Sequence, residues 1–105
     1  MLQKLDGLRG EIDRIDDEIV ELLGQRFALL RDVAAYKRSR GIPVVIPERI
    51  AEVVERCVAR GEPLGLDPQL LRDLYARIID EACRVEAHAM AQPHRRPVPA
   101  TGGHD

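Results

Sequence analysis

Between Leu5 and Tyr36 the apolar positions recur at alternating intervals of three and four residues, through Leu8, Ile12, Ile15, Ile19, Leu22, Leu29 and Val33. This heptad seam predicts a long helix packed along its length against other helices. Charged Asp13, Asp17 and Glu18 fall on its other faces. Gly7, Gly10 and Gly24 each weaken the helix by about 1 kcal/mol relative to Ala. No proline precedes Pro43, and Gly41-Ile42-Pro43 is the first strong break, so residues 38–47 read as a loop. Pro47 followed by Glu48 opens a second helix, with proline in the first turn and an acid at the positive end of the dipole. That helix runs to about Arg60, with Ile50, Val53, Val54 and Cys57 apolar, and Gly61, Pro63 and Gly65 end it. Asp67-Pro68 supplies an N-cap and an N1 proline for a third helix reaching about Met90. Its apolar face carries Leu70, Leu71, Leu74, Tyr75, Ile78, Ile79, Ala82, Val85 and Ala89. The expected fold is all-α, with three helices of which one is very long.

Length turns that pattern into an assembly. About 36 residues make a helix of roughly 55 Å, whereas a compact chain of 105 residues is about 30–35 Å across. The seam therefore overhangs its own domain, and a second copy is the simplest cover. The expectation is an intertwined helical homodimer.

Composition narrows the function. The formal charge of −2 argues against a nucleic-acid footprint or a polybasic membrane surface. No apolar run approaches the roughly 20 residues that span a bilayer. The charged N-terminus has no signal-peptide core, and Cys57 and Cys83 lack the spacing of a zinc site. They read as free thiols of a reducing compartment, so a cytoplasmic protein is expected. Residues 1–91 form the predicted helical domain, and 92–105, with His94 and His104, the expected disordered tail.

Arg26 breaks the seam where Leu or Ile belongs. A buried guanidinium needs an anion, because an unpaired one costs several kcal/mol. It is either a ligand-binding residue, half of an interhelical salt bridge, or a cation snorkelling to an edge. Lys37, 11 residues on, projects from a similar face about 16 Å away, so both can lean toward one anion; alternatively it only complements the helix dipole. Arg9 is about 25 Å from Arg26 on another face and reaches the same ligand only from a partner helix running antiparallel. Glu86 borders the apolar face of the third helix, and Arg49 opens the second helix against its dipole.

In order and spacing these positions resemble the all-helical chorismate mutases over residues 5–91. The likeness rests on Leu8-Arg9, Ile12-Asp13-x-Ile15-Asp16, Leu22-Leu23-x-x-Arg26, Lys37, the Pro43 loop, Pro47-Glu48-Arg49, Leu66-Asp67 and Ile78-Ile79. The resemblance implies a dimer with two sites, each borrowing an arginine from the partner. It implies that the partner's Arg9 and Arg26 bind the carboxylates of a small dicarboxylate, and that Arg49 holds the ring-carboxylate end. Lys37 would face the ether oxygen, with Glu86 opposite. Ile46, Ile50 and Ala82 would complete the substrate contacts. The implied reaction, a [3,3] rearrangement of an enolpyruvyl ether, uses no cofactor, metal or nucleophile.

Three positions depart from the family pattern. Most bacterial relatives have Gln at Glu86, which here helps only as a protonated donor, so activity is expected to fall as pH rises. The acids that grip the ring C4 hydroxyl are replaced by Ile46 and Ile50. That points to the 4-amino-4-deoxychorismate mutases, which Ala35-Tyr36-Lys37, Gly41-Ile42-Pro43 and Cys83-Arg84-Val85-Glu86 also resemble. Chorismate mutase and isochorismate-pyruvate lyase are the other catalytic readings, and a non-catalytic dimerisation module is the alternative to an enzyme.

Overall fold

The computed structural model describes residues 2–92; the tail expected beyond them, with both its histidines, lies outside the described residues. Helix α1 spans Leu2–Arg40, α2 Pro47–Gly61 and α3 Pro68–Met90, with a 3₁₀ turn at Glu62–Leu64. Helix α1 runs to Arg40, so the loop starts at Gly41 rather than at Arg38. At 39 residues α1 spans the molecule, whose longest extent is 58 Å and whose radius of gyration is 17.6 Å. A compact chain of this length has a radius near 13 Å.

Helix α3 packs against both α1 and α2. Within the chain, the seam is not the covered face of α1. Residues Gln3 to Leu22 are all exposed, and Leu29 and Tyr36 remain more than half exposed. The buried strip is Leu30 and Ala34, flanked by half-buried Leu23, Phe27 and Lys37. At 100° per residue this strip is rotated about a quarter-turn from the seam. The second half of α1 thus has two apolar strips, one covered by its own chain and one open, with Arg26 between them. The apolar face of α3 divides likewise: Leu71, Ile79 and Ala82 are buried, but Leu70 and Leu74 stay exposed.

Helix ends follow local chemistry. The Asp67 carboxylate accepts from Leu70 N at 3.3 Å, the expected cap of α3. Ile46 occupies the N-cap of α2 in an extended conformation and offers no side-chain bond. Gly41, at φ +69°, closes α1: Ile42 N donates to Lys37 O at 2.8 Å and Gly41 N to Arg38 O at 3.4 Å. Gly61 is the last residue of α2 and not its terminator; it is buried because α3 crosses it closely. A Cβ there would overlap the Leu71 Cδ1 atom.

Gly61→Ala is therefore expected to displace buried Leu71 and destabilise the fold by about 1–3 kcal/mol. Urea unfolding checks this, and an unchanged midpoint would show that the crossing is looser than described.

Candidate functional site

Where the three helices meet they enclose a cavity of about 350 Å³, within the range of roughly 300–1,000 Å³ usual for small-ligand sites. Helix α1 contributes Arg26, Leu29, Leu30, Val33 and Lys37. The loop and α2 contribute Val44, Ile46, Arg49, Ile50 and Val53, and α3 adds Ile79, Ala82, Cys83 and Glu86. Seven of the eight residues named from the sequence thus line one cavity: Arg26, Lys37, Ile46, Arg49, Ile50, Ala82 and Glu86. Arg9 does not, because it lies on the exposed first half of α1.

Helical geometry explains the convergence. Arg26, Leu30, Val33 and Lys37 are three or four residues apart and so share a face, as do Ile46, Arg49, Ile50 and Val53. Ala82, Cys83 and Glu86 do the same on α3.

Three cations and one carboxylate give the cavity a net positive character. Glu86 is 6% exposed, the one buried charged residue among those described. Its Oε1 accepts from Lys37 Nζ at 2.8 Å, and its Oε2 has no hydrogen bond among the described residues. The same ammonium donates to the Val44 carbonyl at 2.9 Å, so one N–H remains. Arg49 Nη1 pairs with Glu52 at 2.7 Å, but both side chains are more than half exposed and the pair holds weakly. Arg26 has no ion pair among the described residues. The interhelical salt bridge that would have explained it structurally is not formed within the chain. The half-buried guanidinium is left as the cavity's available anion binder, with a planar fork matched to a carboxylate.

Two neighbours were not named as site residues from the sequence. Tyr75, beside Arg26, has its hydroxyl pushed above its ordinary pKa by burial and by Cys57, while the Arg26 and Arg56 charges oppose the shift. Cys83 lines the cavity one turn before Glu86, and that spacing could have revealed it. Burial, the Glu86 carboxylate and Asp80 raise its thiol pKa, and Lys37 opposes them. The thiol is therefore neutral near pH 7, and both cysteines are free. The Val44 carbonyl is a backbone group for which side-chain identity gives no clue.

Alkylation of Cys83 by iodoacetamide at pH 8, followed by mass spectrometry, is expected to be slower than that of free cysteine. A rate equal to the free amino acid would contradict the assigned environment.

The family described as "Chorismate mutase type II" matches residues 8–87. The chain is 32% identical to a T-protein from Enterobacter agglomerans over 98% of its own length and 28% of that protein. It is 35% identical to a 4-amino-4-deoxychorismate mutase from Streptomyces pristinaespiralis, covering 78% of this chain and 64% of the other. It is also 35% identical to a 4-amino-4-deoxychorismate mutase from Streptomyces venezuelae, covering 85% and 86%. The chain thus spans little more than a quarter of the T-protein and just under two thirds of the S. pristinaespiralis mutase.

Proposed function

Because the chain belongs to the chorismate mutase type II family, we propose that it is an isomerase for a [3,3] rearrangement of an enolpyruvyl ether dicarboxylate. The observation that carries this reading is one cavity holding Arg26, Lys37 and Arg49 around a buried Glu86. Arg26 and Arg49 take the two carboxylates and hold the flexible ether side chain folded over the ring. The ether C–O bond then breaks as the new C–C bond forms, within one molecule and with no net change of electrons. Negative charge grows on the ether oxygen. The remaining N–H of Lys37 stabilises it, the ammonium being held by the Glu86 carboxylate and the Val44 carbonyl. No nucleophile is needed.

The working unit is a cytoplasmic homodimer in which Arg9 of the partner subunit completes each cage. Nine seam side chains from Leu5 to Tyr36 stand open in each chain. Covering a half-exposed Leu or Ile gains about 1 kcal/mol, so two seams together can exceed the ~4–15 kcal/mol cost of association. Charge favours an antiparallel partner. Residues 3–22 carry three basic and seven acidic side chains, and residues 23–40 carry five basic and one acidic. The acidic half of one α1 then lies along the basic half of the other, bringing the partner's Arg9 toward Arg26.

The substrate is 4-amino-4-deoxychorismate. Two of the relatives are mutases of that name, and Ile46 and Ile50 offer no acceptor for a ring hydroxyl. Chorismate is the second reading, favoured by the cavity's net positive charge, which disfavours an ammonium on the ring.

The test follows the ultraviolet absorbance of 4-amino-4-deoxychorismate, chorismate and isochorismate with purified protein. The amino substrate is expected to give the highest kcat/KM. Faster turnover of chorismate would establish the second reading, and turnover of none would refute the mutase. In the active case Glu86→Ala is expected to lower kcat, because the Lys37 ammonium loses its partner on α3. An unchanged kcat in that variant would remove Glu86 from the site.

A further inference from the structure

Lys37 is attached to the loop at both of its ends. Its carbonyl accepts from Ile42 N at 2.8 Å, and its ammonium donates to the Val44 carbonyl at 2.9 Å. We propose that the Val44 carbonyl, presented by the left-handed turn at Gly41, is a positioning group that aims the Lys37 ammonium into the cavity. This rests on the rearrangement reading for its effect on turnover, but the tether itself is a property of the folded chain.

A lysine side chain has four rotatable bonds and, left alone, spreads its ammonium over many positions. Glu86 fixes it from one side. A single partner still lets the ammonium swing about the carboxylate oxygen. A second acceptor, on the opposite element, leaves one N–H with one direction. That acceptor stays in place because the segment carrying it is stiff. Pro43 and Pro47 bracket Val44, Val45 and Ile46, and prolines fix their own φ while restricting the residue before them. The turn that starts the segment needs φ +69° at Gly41, a conformation a β-branched side chain resists. Val44 and Ile46 also line the cavity, so the segment that orients the cation also shapes the wall beside the ring.

A lysine that merely capped α1 would anchor the loop without affecting turnover. The two cases separate experimentally. The full chain can be assembled by ligation at Cys57 with the Val44–Val45 amide replaced by an ester, which makes the Val44 carbonyl a poorer acceptor. Among the described residues, the Val45 N–H lost in this exchange makes no backbone hydrogen bond. Lys4 and Lys37 are the only lysines, and Lys4 is exposed. Selective ¹⁵N labelling of lysine therefore reads the Lys37 ammonium directly. The native chain is expected to show one slowly exchanging ammonium, and the ester chain faster exchange with kcat lowered about tenfold at similar KM. Gly41→Val is expected to behave like the ester, and Gly41→Asn, which tolerates the left-handed turn, to recover most of the lost kcat. Unchanged ammonium exchange in the ester chain overturns the tether whether or not the protein turns over any substrate. Faster exchange with kcat unchanged overturns its role in positioning. A native chain inactive on all three substrates would count against the rearrangement instead, and the exchange rate would still decide the tether.

Discussion

The structure depends on a mismatch of length. Helix α1 is 39 residues long, whereas α3, which packs on it, is 23 and α2, which packs on α3, is 15. They cover only the strip through Leu30 and Ala34, leaving the first half of α1 in water with its Leu and Ile residues exposed. A free helix of some 20 residues draws little stability from its own hydrogen bonds, since most helical stability in proteins comes from packing an apolar face. The chain alone therefore leaves an apolar strip of α1 uncovered. Its cavity is open in the same sense, because Arg26 lies between the covered strip and the uncovered one and has no ion pair among the described residues.

The electrostatics of the cavity follow from this arrangement. Burying a carboxylate such as Glu86 is costly unless a cation and further hydrogen bonds accompany it. Lys37 is that cation, and it reaches Glu86 because α1 and α3 cross near their C-terminal ends. The pair neutralises itself, so the anion-binding capacity lies with Arg26 and Arg49. Arg49 is only loosely restrained by exposed Glu52, and a carboxylate ligand displaces such a surface partner at little cost. The apolar remainder of the wall, including Val33, Ile50, Val53 and Ile79, lowers the local dielectric and strengthens each of these charge interactions.

Much of this was legible in the residues. The three-four alternation and the breaks at Gly41-Ile42-Pro43, Gly65 and Asp67-Pro68 foretold three helices and their ends to within a few residues. Arg26 stood out as a cation in an apolar series, Lys37 followed at a spacing that shares its face, and Glu86 stood at the border of the apolar face of α3. The covered face of α1 was not legible. Leu23, Phe27, Leu30 and Ala34 have the same period as the seam, and periodicity alone cannot rank two adjacent apolar strips. Nor could sequence anticipate that Gly61 ends inside α2, where close approach by Leu71 sets the choice of residue. The acceptor for the second Lys37 hydrogen bond was invisible too, because it is a carbonyl every residue possesses.

The central claim is that each cage is completed across two chains, and mixing two damaged proteins tests it most directly. Arg9→Ala and Arg26→Ala would each be purified as an inactive protein, then mixed and allowed to exchange subunits. A heterodimer of the two contains one site with an intact Arg26 and an intact Arg9 donated by the other chain. Activity is predicted to return to about a quarter of the native value at equal mixing, since half the dimers are mixed and each holds one whole site of two. A mixture that stays as inactive as its components, under conditions where exchange of subunits is observed, would contradict a shared site.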